Sequence, residues 1–232
     1  MNKNTSISDK KRTITHILAI LKRNYVGKLT QLSMERKKAD ATGLNQNSTA
    51  FRILISTILS HRTKDEKTTQ ATNNLFSVYS SANELSNAPL TKIEKLISPA
   101  GFYRSKAKYI RNCSKQLVEK YHGVVPFSRE SLMELDGVGP KTSACVLNYA
   151  FSSQVIAVDT HVHRIANRLG LVKTKTPEES EVQLAKITPI KLQNQVNELL
   201  VLHGQNTCKP IGPRCSICPV NKLCDYSKNQ NS

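Results

Sequence analysis

Leu135-Asp136-Gly137-Val138-Gly139-Pro140-Lys141 is the stretch on which the reading of the fold turns. Its two glycines free the backbone for positive φ and for close approach to another molecule. Pro140 then opens a helix, where the first N–H groups have no intrahelical partner. Bare N–H groups at a helix start suit a phosphate. A plain helix–helix turn that uses glycine only for its geometry is the competing reading. Lys141 and the charge of the chain favour the phosphate. Lys and Arg number 34 against 17 acidic residues, a net charge of +17, and such an excess points to a polyanion, most often nucleic acid. Gly137, Val138 and Gly139 are therefore candidate DNA-binding residues. They would act through the backbone, which holds phosphates without reading bases.

Outward from the hairpin the chain reads as all-α. Ile14, Ile17, Leu18 and Leu21 follow the i, i+3, i+4, i+7 spacing of one helix face. Ser48 is placed to cap a helix over Thr49–Ser60. Further helices are expected at about 65–79, 91–98, 104–121, 128–134, 141–151, 160–169, 177–187 and 191–203. Thr176-Pro177-Glu178-Glu179 gives the clearest start signal: a cap, a proline at the first position and acids in the first turn. Residues 25–48 lose the pattern. Only Val155-Ile156-Ala157-Val158 looks extended, and it is too short to imply a sheet.

A chain of 232 residues suits one or two domains and can bury a real core. The longest apolar runs, such as Ile17–Leu21, are too short to cross a bilayer. The polar N-terminus has no apolar signal region. An intracellular location with the DNA is expected, in the cytoplasm or nucleoid, or in a nucleus or organelle.

Asp159 follows the short apolar run, in Val158-Asp159-Thr160-His161. Aspartate is a preferred helix cap, and capping alone explains it. A catalytic reading needs a partner. Lys141 lies 18 residues earlier, at the start of another helix. His161 and His163, two apart on a helix, point to different faces, which argues against a metal site. One of them is expected to orient the Asp159 turn and the other to pack.

Four of the six cysteines crowd into Cys208-x6-Cys215-x2-Cys218-x5-Cys224. Clustered cysteines in an intracellular chain bind metal more often than they form disulfides. Zinc accepts four thiolates, usually supplied as two C-x2-C pairs. Only one such pair exists here, and a [4Fe–4S] cluster with four corner irons tolerates the wider spacing. Both remain open on chemistry alone. Cys113 and Cys145 lie in helical patterns and read as buried small hydrophobes.

In order and spacing, the hairpin ending in Lys141, the V-D-T-H stretch at 158–161 and C-x6-C-x2-C-x5-C resemble the endonuclease III family of helix-hairpin-helix DNA glycosylases and AP lyases. The resemblance runs from about Ser48 to Tyr226 and takes in Leu59-Ser60-His61-Arg62-Thr63-Lys64-Asp65 and Gly101-Phe102-Tyr103-Arg104-Ser105-Lys106-Ala107. It implies a six-helix domain over 44–153, with the hairpin at about 128–151. It also implies a cluster domain built from 16–43 and 154–232, with DNA in the cleft between the two. Residues 1–15 are read as a basic disordered tail.

By the same resemblance, Lys141 is the nucleophile and Asp159 the catalytic carboxylate, and Cys208, Cys215, Cys218 and Cys224 hold a [4Fe–4S] cluster. Arg62 stands where the family often has Gln and would fill the gap left by a flipped nucleotide. Phe102 stands at a second, wedge-like position. Asp136 replaces a common Pro, and an acid beside a phosphate-binding loop is unhelpful unless it points away. The implied activity is removal of oxidised or damaged pyrimidines from duplex DNA, followed by a nick 3′ to the abasic site, by a monomer. The alternatives are a mismatch-specific monofunctional glycosylase of the same superfamily, a hairpin module that only binds DNA, and an iron–sulfur electron carrier.

Overall fold

Helices supply all the regular structure of the described residues, 6–230 of a computed structural model. The chain divides into two units, Met1–Thr30 with Gln154–Ser232, and Gln31–Ser153.

The first unit opens with α1 (Ile7–Asn24). The helix starts well inside the expected tail because Ser6 caps it, its hydroxyl accepting from the Asp9 amide at 3.1 Å. Lys10 Nζ also donates to Leu171 O at 3.1 Å, so residues 7–15 are helical rather than disordered. The start of the expected tail, residues 1–5, lies outside the described residues.

The second unit holds α2 (Gln31–Ala41), α3 (Gln46–Ser60), α4 (Asp65–Phe76), α5 (Ala82–Asn87), α6 (Leu90–Leu96), α7 (Tyr103–Tyr121), α8 (Arg129–Met133) and α9 (Pro140–Phe151). These are eight helices among the described residues, where six were implied. Helix α3 is the centre. Nearly every residue from Thr49 to Leu59 is buried, as expected for a helix that is apolar almost all round. It packs on α9, α2, α4 and α7. Its cap is Asn45, whose side chain accepts from the Ser48 amide at 2.9 Å. Ser48 thus supplies the donor rather than the cap.

Helix α2 corrects the expected boundary at residue 43. Its segment belongs with 31–153, and its two buried polar residues, Gln31 and Glu35, are answered from α3. Gln31 Nε2 donates to Ser56 Oγ at 2.6 Å, and Arg52 Nε donates to the fully buried Glu35 at 2.6 Å.

The first unit resumes with α10 (Thr160–Arg168), α11 (Pro177–Ile187), α12 (Gln193–Asn206) and α13 (Asp225–Gln230). Ile14, Ile17, Leu18 and Leu21 of α1 meet Val162 and Ile165 of α10, Leu184 of α11 and Val196 and Leu200 of α12 in one core. Val155–Val158 forms no strand. Its last three residues are buried, and Ala157 O accepts from Asn197 Nδ2 at 2.7 Å.

Candidate DNA-binding loops, catalytic residues and cysteine centre

In the second unit the hairpin joins α8 to α9. Gly137 has φ +77°, and a Cβ there would lie 3.0 Å from Tyr109 Cβ, so both its backbone and its neighbour require glycine. A Cβ on Gly139 would enter open space. That peptide is open to a ligand, whereas the Val138 side chain is buried and its amide donates to Leu135 O at 3.1 Å. Val138 therefore offers shape rather than a donor, and the amides of Gly137 and Gly139 are left as the phosphate-facing candidates. Gly139 is the N-cap of α9 with no side-chain cap, Pro140 is at the first turn, and half-buried Lys141 follows.

Asp136 does point away from this loop. Its carboxylate accepts from Asn112 Nδ2 at 2.9 Å and from Gln116 Nε2 at 3.3 Å, and its amide donates to Gln116 Oε1 at 2.8 Å. Helix α7 thereby holds the acid on the flank of the hairpin.

Two loops in the same unit carry Arg62 and Phe102. Both residues sit in the left-handed region, with φ 49° and φ 58°, where only a few per cent of non-glycine residues are found. Phe102 is 64% exposed, and the Arg62 guanidinium lies 5.8 Å from its ring centroid. A cation and an exposed aromatic ring held together on strained backbone form a stacking surface.

His61 Nε2 lies 3.0 Å from Thr142 Oγ1, tying the first loop to the opening turn of α9. His61 is exposed as a whole residue. Desolvation of its ring, then the charges of Lys141 and Lys106, still push it down to about 4, so it is neutral near pH 7. Neither His61 nor Lys106 was given a role on sequence grounds. The signal for Lys106 was its position: it shares the stripe of Ile110, Cys113 and Leu117, the apolar face of α7.

In the first unit Asp159 caps α10, its Oδ1 accepting from the Val162 amide at 2.8 Å. The capping role is met, and Oδ2 is left for other work. His163 Nδ1 pairs with Ser180 Oγ at 2.7 Å, and His161 Nδ1 lies 3.2 Å from Arg164 Nη2. His163 is thus tied to α11, and His161 stands against a residue of its own helix.

The four clustered cysteines are free thiols, and all four line one cavity. Four thiols around one cavity fit a polynuclear group with separate corners. Cationic and imidazole groups face the sulfurs: Arg168 Nη1 lies 3.4 Å from Cys208 Sγ and His203 Nε2 3.7 Å from Cys218 Sγ. Burial pushes the Cys218 thiol up to about 11. Lys209, Arg214 and Lys222 stand exposed on the same loop. Cys113 and Cys145 are buried, and burial pushes the Cys113 thiol up to about 12. Among the described residues no helix is long and apolar enough to cross a membrane.

Residues 55–189 match the model of the HhH-GPD superfamily base excision DNA repair protein. Endonuclease III of Thermotoga maritima is 47% identical over 78% of this chain and 84% of its own length. Endonuclease III of Synechocystis is 35% identical over 94% of each chain. A solved trapped endonuclease III–DNA covalent intermediate superposes with a TM-score of 0.83 at 31% identity, covering 96% of this chain and 99% of that one. The fold and its loops define a helix-hairpin-helix base excision repair protein. Within that superfamily the chain belongs to the endonuclease III family of DNA glycosylases and AP lyases.

Proposed function

We propose that this chain excises oxidised or damaged pyrimidines from duplex DNA and nicks the strand 3′ to the abasic site, with Lys141 as nucleophile and Asp159 as the catalytic carboxylate. The observation that carries the reading is Lys141 in the first turn of a helix with no side-chain cap, two residues after the open Gly139. A covalent DNA intermediate has been trapped for the similar endonuclease III, and an adduct of that class is expected here.

The chemistry follows from an amine. The target nucleotide must leave the stack, at a cost of a few kcal/mol that is least for a damaged base. Arg62 and Phe102 offset that cost by occupying the vacated space. Neutral Lys141 Nζ attacks C1′, the C1′–N bond breaks, and the base departs with a proton. Opening of the sugar gives an imine between Nζ and C1′. Loss of a C2′ proton then breaks the C3′–O bond and releases the 3′ phosphate as leaving group. Water hydrolyses the imine and frees the lysine. Asp159 stabilises positive charge developing on the sugar and assists the proton transfers.

Cys208, Cys215, Cys218 and Cys224 would hold a [4Fe–4S] cluster, a fit supported by four free thiols around one cavity. When bound, that group supplies cross-links that fix the basic loop. Lys209, Arg214 and Lys222 then face phosphates. The protein works as a monomer inside the cell, on its DNA.

Incubation with a panel of lesion-bearing duplexes tests the reading. Release of an oxidised pyrimidine together with a 3′ nick is expected. Excision of a mismatched base without nicking would instead identify a monofunctional glycosylase.

A further inference from the structure

We propose that Lys106 is the positioning residue that locks the Arg62 and Phe102 loops to one another for insertion into DNA. The inference rests on the reading above, in which those two side chains fill the space left by the extruded nucleotide.

Lys106 is only 4% exposed. Its ammonium donates to Leu59 O at 2.7 Å, His61 O at 2.6 Å and Thr63 Oγ1 at 2.7 Å. Those bonds use all three of its protons. Among the described residues no carboxylate is paired with it, and burial pushes the amine down to about 8. A buried cation answered only by neutral acceptors is unfavourable, so the arrangement needs a purpose beyond packing.

Its partners supply that purpose. Leu59 O belongs to the last turn of α3, and His61 O and Thr63 Oγ1 bracket Arg62. Thr63 Oγ1 in turn accepts from the Gly101 amide at 3.1 Å and donates to His61 O at 3.2 Å. Gly101 adjoins Phe102, and a Cβ on it would lie 2.9 Å from Arg62 O. The two left-handed residues are thus joined by one ammonium, one hydroxyl and one backbone approach that only glycine permits. Without the amine, Leu59 O loses its side-chain donor and the Thr63 hydroxyl is left as the one side-chain bridge between the two unfavourable conformations. Lys141 lies in the first turn of α9, where the Ser143 amide donates to Gly139 O at 2.9 Å, and none of the three Lys106 bonds reaches that helix.

The test compares two reactions of the full-length protein. One is base excision from a duplex carrying a single thymine glycol. The other is strand nicking at an abasic site in single-stranded DNA, where there is no stack to fill. Lys106→Met keeps the aliphatic stem and removes the donors. Duplex excision should fall about 30- to 100-fold, the order expected of small misplacements, while single-strand nicking stays within about threefold. Thr63→Val should shift the same ratio by about five- to tenfold. A general loss of structure would lower both reactions together.

Equal losses in both reactions, or parental duplex excision by Lys106→Met, would overturn the inference. Should Lys106→Met fail to fold, Thr63→Val decides alone, and an unchanged ratio overturns the inference. Failure of the underlying reading is seen separately, as Phe102→Ala with parental duplex excision or a parent protein that gives no borohydride-trapped adduct on the abasic strand.

Discussion

Arg62 and Phe102, from two separate loops, face each other at 5.8 Å on left-handed backbone. In the proposed role such a pair would act as one wedge. Stacking of a base on an aromatic ring contributes about 1–3 kcal/mol, so Phe102→Ala should slow single-turnover excision from duplex DNA by about tenfold or more. In a double-mutant cycle with Arg62→Ala, a coupling of at least about 0.5 kcal/mol is expected for side chains in contact. Additive losses would mean that the two act independently.

Asp136, held by Asn112 and Gln116, should tune hairpin affinity. Asp136→Asn removes a negative charge beside the phosphate-facing loop and should tighten binding to undamaged duplex by about two- to fivefold at low salt. It should also lower stability by about 1 kcal/mol through weakened hydrogen bonds. Fluorescence anisotropy and urea unfolding measure the two effects. Weaker binding would show that Asp136 serves the hairpin in another way.

How much of this was legible in the sequence varied with the kind of residue that made each element. Ile14, Ile17, Leu18 and Leu21 drew α1, and Thr176-Pro177 drew the start of α11, because cap chemistry and apolar spacing are local. Helix α2 was invisible for a physical reason. Two of its four buried residues are Gln31 and Glu35, whose burial is supported from another helix, so no apolar stripe marks it. The cap of α3 was misplaced by three residues because Asn45 and Ser48 are both good caps, and only the fold decides that the Asn45 side chain accepts from the Ser48 amide. The candidate site was legible where it needs glycine or cysteine spacing, as at Gly137 and Cys208–Cys224. Left-handed backbone at Arg62 and Phe102 left no such mark, because glycine is absent from both positions. Lys106 left one mark, a lysine on the apolar stripe of α7, but the Leu59 and His61 carbonyls and the Thr63 hydroxyl around it are brought there only by the fold.

Binding to DNA should be electrostatic and largely indifferent to sequence, given the +17 charge and the backbone hairpin. If about five phosphates are neutralised, log K should fall against log salt with a slope of about −4 to −5. Titrations over a range of salt concentrations measure this. A flat response would remove the phosphate role of the hairpin.

The purified protein should be brown, with about four iron and four sulfide per chain. Cys215→Ser should lose both, together with solubility, because the proposed cluster would cross-link its loop. Elemental analysis that finds one zinc and no iron would contradict the assignment.

Borohydride trapping tests the catalytic role of Lys141 most directly. Borohydride added during reaction with an abasic duplex should reduce the imine and leave a covalent protein–DNA complex, with the adduct mapped to Lys141 by mass spectrometry. Lys141→Gln keeps a polar, hydrogen-bonding side chain one atom shorter but cannot form an imine, so trapping and nicking should disappear while DNA binding survives. Asp159→Asn should still trap on a pre-formed abasic site, at a reduced rate, because that aldehyde has no base to expel. If Lys141→Gln is trapped nearly as well as the parent, the nucleophile lies elsewhere and the proposed assignment is wrong.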